Sequence, residues 1–400
     1  MNLRFHRQTL TSLLLFCFPL AGNSVRSWTG AFFVALLLWA LSVRPWREAT
    51  LSRLERNALS VLIAIFIWVI LSASVNGWSE LDTRGLGVHI RYLAVIPIYF
   101  LIKANLSSLL PFMLGCVVGS FVLAAQGIQE VFYLSADRAY GVYGSPGLFA
   151  GHAVVFGIFS ALLVHLNRER PWLMVLGVLG LISAFLCIVL AGSRSTYFVL
   201  AIFLFVGLPL LLLGRRISML LYFAFVSTVV ALSYNLSSVM KQQVHRGVDE
   251  VRIYLSDPDP LRSSSHGSVG TRLEMWRASL IIARDYWLTG VGWRAFPESA
   301  RGYAERGEIN PLATHHPHPH NTYLEFLVSY GLIGLGLLLA FYVYGFLVPD
   351  LWLRVLLMFW LLNGIHEGGL FVYGNSLSFL LVAWAVMRLR SAKSGNASSA

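Results

Sequence analysis

Long apolar runs occupy most of this chain, and they constrain its fold more than any other feature. Of its 400 residues, 57% are hydrophobic and only 12% are charged, whereas about 25% of the residues of a soluble domain are charged. A helix that crosses a bilayer needs about 20 mostly apolar residues, and runs near this length recur along the chain. The sequence therefore predicts an all-α polytopic membrane protein with about 12 transmembrane helices.

One long polar interruption, residues 236–320, divides the predicted spans into nine within residues 1–235 and three within residues 321–390, and residues 391–400 form a tail. The spans are placed at about 8–23, 27–43, 57–77, 88–104, 108–128, 143–165, 172–191, 195–213, 217–235, 322–348, 350–365 and 375–389. The first run could also be a cleaved signal peptide, but no Ala-x-Ala site follows it, so an uncleaved span is predicted.

Basic residues between the spans determine the expected orientation. They are concentrated on the side that also holds the two termini, for example at Arg44, Arg47, Arg215 and Arg216. Because cytoplasmic loops carry the excess of Lys and Arg, both termini are predicted to be cytoplasmic, with residues 236–320 on the opposite face. The net charge of +11 is then a property of membrane loops and does not indicate a nucleic-acid partner.

Two stretches of the long polar segment have helical periodicity. In residues 271–286, Leu273, Trp276, Leu280 and Ala283 would share one face. This pattern predicts an amphipathic helix that lies on the membrane surface of the bundle. Residues 239–255 are predicted to form a second such helix.

Four histidines and two prolines are packed into residues 315–320, directly before an apolar run at 326–347. Since histidine titrates near neutrality, His320 is the preferred candidate for a general base that takes a proton from a hydroxyl group. A solvated loop histidine is the simpler alternative. His316, His318 and His320 would point to one side of an extended strand and could hold a metal, but a carboxylate or cysteine ligand is missing, so no metal site is predicted.

Three arginines lie at predicted span mouths or loop ends, namely Arg138, Arg194 and Arg272. An arginine can bind phosphate oxygens through two parallel N–H donors, so arginines that converge would bind a diphosphate without a metal. Alternatively, each side chain only extends to the membrane interface or pairs with a nearby carboxylate.

Two acidic motifs allow more than one interpretation. Asp257 and Asp259 could bind a divalent cation, but the prolines and serines around them favour a plain turn. His366 and Glu367 follow a short span and either orient a nearby site or end a turn.

The spacing around His320 resembles a family signature. His320-Asn321, nine residues, then Gly331 and Gly334 match the H-[NSQ]-x9-G-x-x-[GTY] pattern of bacterial O-antigen ligases. Gly192-Ser193-Arg194 is similar to a segment of the wider ligase and polymerase superfamily. Arg272 with Trp276, followed by Gly290-Val291-Gly292, and the stretch from Arg138 to Gly151 are similar to two further elements of it. The chain departs from these elements at Ser145-Pro146-Gly147 and lacks a proline before Gly290.

The resemblance implies a GT-C-like glycosyltransferase of the bacterial inner membrane, with its active site facing the periplasm. It would move a glycan from undecaprenyl diphosphate to the lipid A–core oligosaccharide, with no nucleotide, metal or other cofactor. His320 would be the catalytic base, and Arg194 and Arg272, with Arg138 nearby, would bind the diphosphate. The supporting residues would be His318, Asn321, Tyr323, Gly331 and Gly334.

Three other functions are compatible with parts of the sequence. An O-antigen polymerase would use the same donor and a second lipid-linked repeat as acceptor, and a protein-glycosylating relative would use a protein. A transporter with a histidine-rich gate would need ionisable residues at mid-membrane and an inverted repeat. The sequence shows neither feature, so a transporter is the least favoured interpretation.

Overall fold

The computed structural model describes residues 2–24, 28–105, 108–213, 218–256, 267–367 and 373–397. Over these residues the chain is almost entirely helical and forms no β-strand. The prediction of an all-α chain is confirmed. The physical basis is the membrane solvent itself, because a helix satisfies its own backbone hydrogen bonds where no water is present.

Each predicted span falls on one or two helices. In chain order the helices are α1 (Asn2–Ser24), α2 (Trp28–Val43), α3 (Arg53–Val75), α4 (Glu80–His89), α5 (Arg91–Lys103), α6 (Leu109–Ile128), α7 (Pro146–Leu166), α8 (Pro171–Ala191), α9 (Arg194–Ile202), α10 (Leu208–Leu212), α11 (Met219–Leu236), α12 (Ser238–Ser256), α13 (Gly267–Asp285), α14 (Phe296–Glu305), α15 (Thr322–Phe346), α16 (Leu351–Asn363) and α17 (Gly374–Ala397).

Within the described ranges, eight helical stretches are long and apolar enough to cross a membrane. They are α3, α4 with α5, α6 extended to Tyr133, α7, α8, α9 with α10, α11 and α15. The apolar helices α2 and α16 and the apolar part of α17 are shorter. The chain is therefore a multi-pass membrane protein, and the count of about twelve spans stays a prediction.

Helix α7 lies at the centre of the bundle, where 83% of its most apolar 18-residue window is buried. It packs on α6 and α8, and aromatic side chains fill the space between the helices, for example Phe112 against Phe159 with 4.9 Å between ring centroids. Pro146 occupies its first turn, and the hydroxyl of Ser145 accepts a hydrogen bond from the Leu148 amide. This cap fixes the end of α7 that bears Gly147.

The predicted fourth span differs from the structure at its start. A helix already begins at Glu80, after a capping box in which Ser79 and Asp82 satisfy each other's backbone amides. A single turn residue, Ile90, with near-helical φ and ψ separates it from α5. The charge of Arg91, which made this span unusual, is accommodated because its Nε donates to the Ser378 hydroxyl at 2.8 Å.

Helix α15 is not the continuous span that its apolar run predicts. Gly331 has φ 66° and ψ −168°, so the helix is interrupted there. The loop after α13 occupies the break: the Leu332 amide donates to the Trp287 carbonyl at 2.8 Å, and the Val291 amide to the Val328 carbonyl at 2.8 Å. Backbone groups freed inside the membrane region are thus satisfied by protein.

In the described part of residues 236–320, which omits 257–266, the structure has three α-helices, of which sequence analysis predicted two. Helices α12 and α13 agree with the predicted stretches, and α14 was missed. The predicted apolar face of α13 is wrong, because Met275, Ala278 and Ile282 form its buried stripe while Leu280 is 58% exposed. The true stripe also follows i, i+3, i+7 spacing, and only the packing of α14 and residues 309–313 against it distinguishes the two faces.

Candidate functional site

The histidine-rich segment forms a rim between a short 3-10 turn, Pro311–His315, and the start of α15. His316 has the extended backbone that the neighbouring proline predicts, with φ −109° and ψ 138°. His320 does not, since its φ is +51°. The expected alternation of three parallel rings is therefore wrong at His320. The rings of His318 and His320 lie 4.3 Å apart.

Hydrogen bonds hold this rim in one conformation. The indole Nε1 of Trp276 donates to the Pro319 carbonyl at 3.0 Å. The His320 amide donates to Nδ1 of His318 at 3.2 Å, so Nδ1 is unprotonated and Nε2 carries the hydrogen. That Nε2 faces the Tyr373 hydroxyl at 3.3 Å. The backbone and its neighbours therefore fix both the position and the tautomer of His318.

Replacing Trp276 with phenylalanine keeps the ring packing and removes one hydrogen bond to the rim. A hydrogen bond of this kind contributes about 1 kcal/mol, so the His318 and His320 amides are expected to exchange with deuterium about fivefold faster. Hydrogen exchange read by mass spectrometry checks this. Trp287→Phe, at an indole that is 55% exposed, is the matched control. Equal exchange in both variants would contradict a holding role for Trp276.

His320 is an uncharged imidazole with an available nitrogen. Its Nδ1 is buried and has no hydrogen-bond partner among the described residues. Burial lowers the pKa of His320 to about 3, with further lowering by His318 and Arg272. This pKa lies well below the near-neutral value on which the sequence prediction depended. The ring is therefore neutral at neutral pH and has one nitrogen that can accept a proton, although as a weaker base than a solvated imidazole.

Arg272 is the cation at the centre of this site. Burial has the largest effect and lowers the pKa of Arg272. The negative charge of Glu367 raises this pKa, and the positive charge of Arg194 lowers it. The charge of Arg272 also lowers the pKa of His316, His318, His320 and His366. Its guanidinium forms no hydrogen bond or ion pair with the described part of the chain. The structure thus brings Arg272 together with Arg194 and His320.

Arg194 is already paired. Its Nη1 donates to Glu250 Oε1 at 2.7 Å, and its Nη2 to the Ser268 hydroxyl at 2.8 Å. These bonds join the start of α9 to α12 and α13. The alternative that an arginine pairs with a nearby carboxylate therefore holds for Arg194, although its charge still adds to the field at Arg272.

Arg138 lies beside the same helix end but is turned away. A Cβ placed on Gly192 would lie 3.7 Å from the Arg138 Cβ, so the two chain segments touch. The guanidinium, however, contacts Asp137 at 3.5 Å and the Tyr140 hydroxyl at 3.3 Å. No contact in the described ranges joins Arg138 to Arg272 or His320.

The supporting residues of the signature hold the backbone. Asn321 caps α15, since its Oδ1 accepts from the amides of Tyr323 and Leu324 at 3.0 and 3.1 Å. The Tyr323 hydroxyl donates to the Leu361 carbonyl. Gly331 allows the helix break, and a Cβ on Gly334 would collide with Tyr330. These residues position His320 and need not touch a ligand.

Two site residues were missed by sequence analysis. Arg294 has φ +56°, and its guanidinium lies over the rings of Trp293 and Tyr373 at 4.8 and 5.5 Å. Glu325, one turn into α15, is 2% exposed, and its Oε2 has no partner within the described ranges. A charged residue in the first turn of an apolar span was the available signal for Glu325.

A cavity of about 670 Å³ adjoins Arg194. Its walls come from α8, α9, α11 and α12 and are almost wholly apolar, and Arg194 and Arg252 are its basic lining residues. An almost wholly apolar cavity with two arginines in its lining suits a ligand with a hydrocarbon part and an anionic head.

The remaining candidates cannot be placed in this site. Asp257 and Asp259 lie outside the described residues. Among the residues described, no group of three or more His, Cys, Asp or Glu side chains has the arrangement needed to hold a metal ion.

Part of the chain matches a known protein family. Residues 179–339 match the family model described as O-antigen ligase. The matched region begins in α8, ends in α15 and contains Arg194, Arg272, His320, Gly331 and Gly334. No curated protein matches the chain. The family resemblance expected from the histidine signature is confirmed.

Proposed function

We propose that this chain, whose residues 179–339 match the O-antigen ligase family model, is a member of the O-antigen ligase and polymerase family and a glycosyltransferase of the bacterial inner membrane. It takes a glycan from undecaprenyl diphosphate and passes it to a hydroxyl group of the lipid A–core oligosaccharide. Both termini are cytoplasmic, and the site at His320 faces the periplasm.

One observation supports the proposal above all others. His320 is a half-buried neutral histidine whose Nδ1 is buried and has no partner among the described residues. It interacts electrostatically with Arg272, an arginine that makes no ion pair with those residues. A base that must remove a proton and a cation that must receive a leaving anion are both in the required charge state before substrate binds.

The chemistry follows from these two groups. The acceptor hydroxyl attacks the anomeric carbon of the donor, and a His320 ring nitrogen takes the hydroxyl proton. A new C–O bond forms to the acceptor as the C–O bond to the diphosphate breaks. The departing diphosphate carries the electron pair, and Arg272, with Arg194 nearby, stabilises its charge. His320 then returns its proton to water.

The apolar cavity beside Arg194 supports a lipid-linked donor. Its lining of phenylalanine, valine and leucine side chains suits part of an isoprenoid chain, because burial of each methylene contributes about 0.8 kcal/mol. The diphosphate would then lie at the end of the cavity near Arg194.

A direct test incubates the purified protein with undecaprenyl-diphosphate glycan and two acceptors, lipid A–core and a second molecule of donor, with a chelator present throughout. Glycan on lipid A–core supports the ligase, and a lengthened lipid-linked glycan indicates the polymerase instead. If neither product forms unless Mg²⁺ or Mn²⁺ is restored, the metal-independent mechanism is wrong.

Arg272→Lys is expected to reduce transfer roughly 100-fold, the cost of removing one group that stabilises a developing anion. The lysine keeps the charge but lacks the planar pair of donors that fits phosphate oxygens. The measurement is kcat/KM for the donor. Arg277→Lys, at an exposed position of the same helix, is the control and should remain at wild-type activity. A fully active Arg272→Lys protein would show that only charge is needed.

In the pH profile of kcat/KM for the donor, the fall in activity on the acid side should occur at an unusually low pH. Burial, together with electrostatic coupling to His318 and Arg272, lowers the pKa of His320 to about 3. The neutral base is therefore present above this pH and is lost only as the pH falls towards it. We expect kcat/KM for the donor, which reports the free enzyme, to stay flat from pH 8 to pH 5. A fall centred near 6.5 would point to an exposed histidine as the base.

A further inference from the structure

The turn at the end of α16 carries polar groups that the proposed mechanism does not use. We propose, on the basis of the proposed function, that Asn363 and His366 form the subsite that recognises the first sugar of the lipid-linked donor. The sugar would be held by its hydroxyl or acetamido groups, while Arg272 takes the adjacent phosphate.

Backbone contacts place this turn beside the catalytic rim. The Thr322 amide donates to the Gly364 carbonyl at 2.7 Å, and the Thr322 hydroxyl to the Glu367 carbonyl at 2.7 Å. His320 is two residues from Thr322. The pKa of His320 is also lowered by electrostatic coupling to Arg272 and, more weakly, to His366. The turn is therefore next to the base and the central cation.

The side chains of Asn363 and His366 are buried and have no hydrogen-bond partner on any other described residue; the one backbone contact of the His366 ring is with its own residue. Their exposed fractions are 0% and 5%. Both polar atoms of the Asn363 amide and both ring nitrogens of His366 have no partner on another residue of the described ranges. A buried group left unsatisfied costs about 1–3 kcal/mol, so a turn with only a structural role would be served better by apolar side chains.

The side chain of Asn363 faces a part of α7 where glycines leave the backbone without side chains. A Cβ on Gly151 would lie 3.8 Å from the Asn363 Nδ2, and a Cβ on Gly147 would lie 2.8 Å from Glu367 Oε2. The two glycines are four residues apart, so they lie on one face of the helix. Their missing side chains let the end of α16 pack closely on α7, so Asn363 and Glu367 lie directly against this face of the helix.

The chemistry of the pair favours a sugar over a phosphate. Burial, followed by the charge of Arg272, lowers the pKa of His366 to about 3, so the ring is neutral and offers one donor and one acceptor. The Asn363 amide also offers both. Hydroxyl and acetamido groups need such mixed partners, whereas an anion needs donors only. Since the first sugar is bonded directly to the phosphate, the two neighbouring subsites match the order of groups in the donor.

The experiment compares two lipids that differ by one sugar. Binding of undecaprenyl diphosphate and of undecaprenyl diphosphate N-acetylglucosamine is measured on wild-type protein and on Asn363→Leu and His366→Phe. Wild type should bind the sugar-bearing lipid about tenfold more tightly. Each variant should lose this preference and bind the bare lipid as wild type does. His165→Phe, at the opposite end of α7, should keep the preference.

Other outcomes have separate meanings. If wild type binds both lipids equally, the sugar subsite is wrong while the donor proposal stands. If wild type binds neither lipid, the proposed function itself fails. Equal loss of both lipids by folded variants would assign the pair to the diphosphate or to the fold. Should either variant fail to fold, His366→Gln, which keeps one donor and one acceptor, must retain part of the preference, and its complete loss would overturn the inference.

Discussion

Replacing His320 with asparagine is expected to reduce glycan transfer at least about 100-fold, the contribution of a positioned general base. Asparagine is the sharpest choice because it tolerates the left-handed backbone of this position better than most residues, and φ here is +51°. An alanine would add backbone strain to the loss of the base. The asparagine amide cannot accept the acceptor's proton, so only the chemistry is removed.

Product formation under saturating donor and acceptor measures the effect. The control is His315→Asn, an exposed histidine of the same rim, which should transfer at the wild-type rate. Donor binding by His320→Asn should also be unchanged, since Arg272 is intact. More than a tenth of wild-type activity in the His320 variant would remove this residue from proton transfer.

Gly331→Ala is expected to destabilise the protein more than any other single change considered for this chain. A Cβ at this position would lie inside the contact distance of the Leu288 carbonyl, and φ of +66° is unfavourable for alanine. The loop and the helix break would have to separate, which would disrupt the backbone bonds of Val291 and Leu332. A loss above about 4 kcal/mol is expected for such a combination of strain and unsatisfied groups.

Gly336→Ala supplies the comparison within the same helix. A Cβ at Gly336 meets nothing within 4 Å, and alanine favours a helix over glycine by about 1 kcal/mol, so this variant should be neutral or slightly more stable. Thermal unfolding in detergent measures both. If Gly331→Ala melts within a few degrees of Gly336→Ala, the helix break is not held by the loop after α13.

The helices of this protein could be predicted because their signal is local. Length, apolar content and absence of charge are properties of a continuous run, and each predicted span contains a helix. His320 and Arg272 could be proposed from residue type and family spacing. The break at Gly331 could not, because it depends on the loop at 287–292, about 40 residues earlier, folding back onto α15.

The same limit explains the differences at the site. Sequence analysis treated Arg138, Arg194 and Arg272 alike, but only packing shows that Arg194 meets Glu250 and that Arg138 turns to Tyr140. Asn363 was not singled out by sequence analysis, because burial of its amide depends on which helix lies opposite. Residue type predicts what a side chain can do, and tertiary contacts decide whether it is free to do it.

Helix α11 has few neighbours: only 6% of its most apolar 18-residue window is buried, yet it forms one wall of the cavity beside Arg194. In the proposed function, the exposed surface of α11 would meet the acyl chains of the membrane. This single helix would then separate the cavity from the bilayer. The isoprenoid chain of the donor would enter the cavity laterally from the bilayer, while its charged diphosphate stays at the membrane–water interface. The substrate would never have to leave the membrane to reach the enzyme.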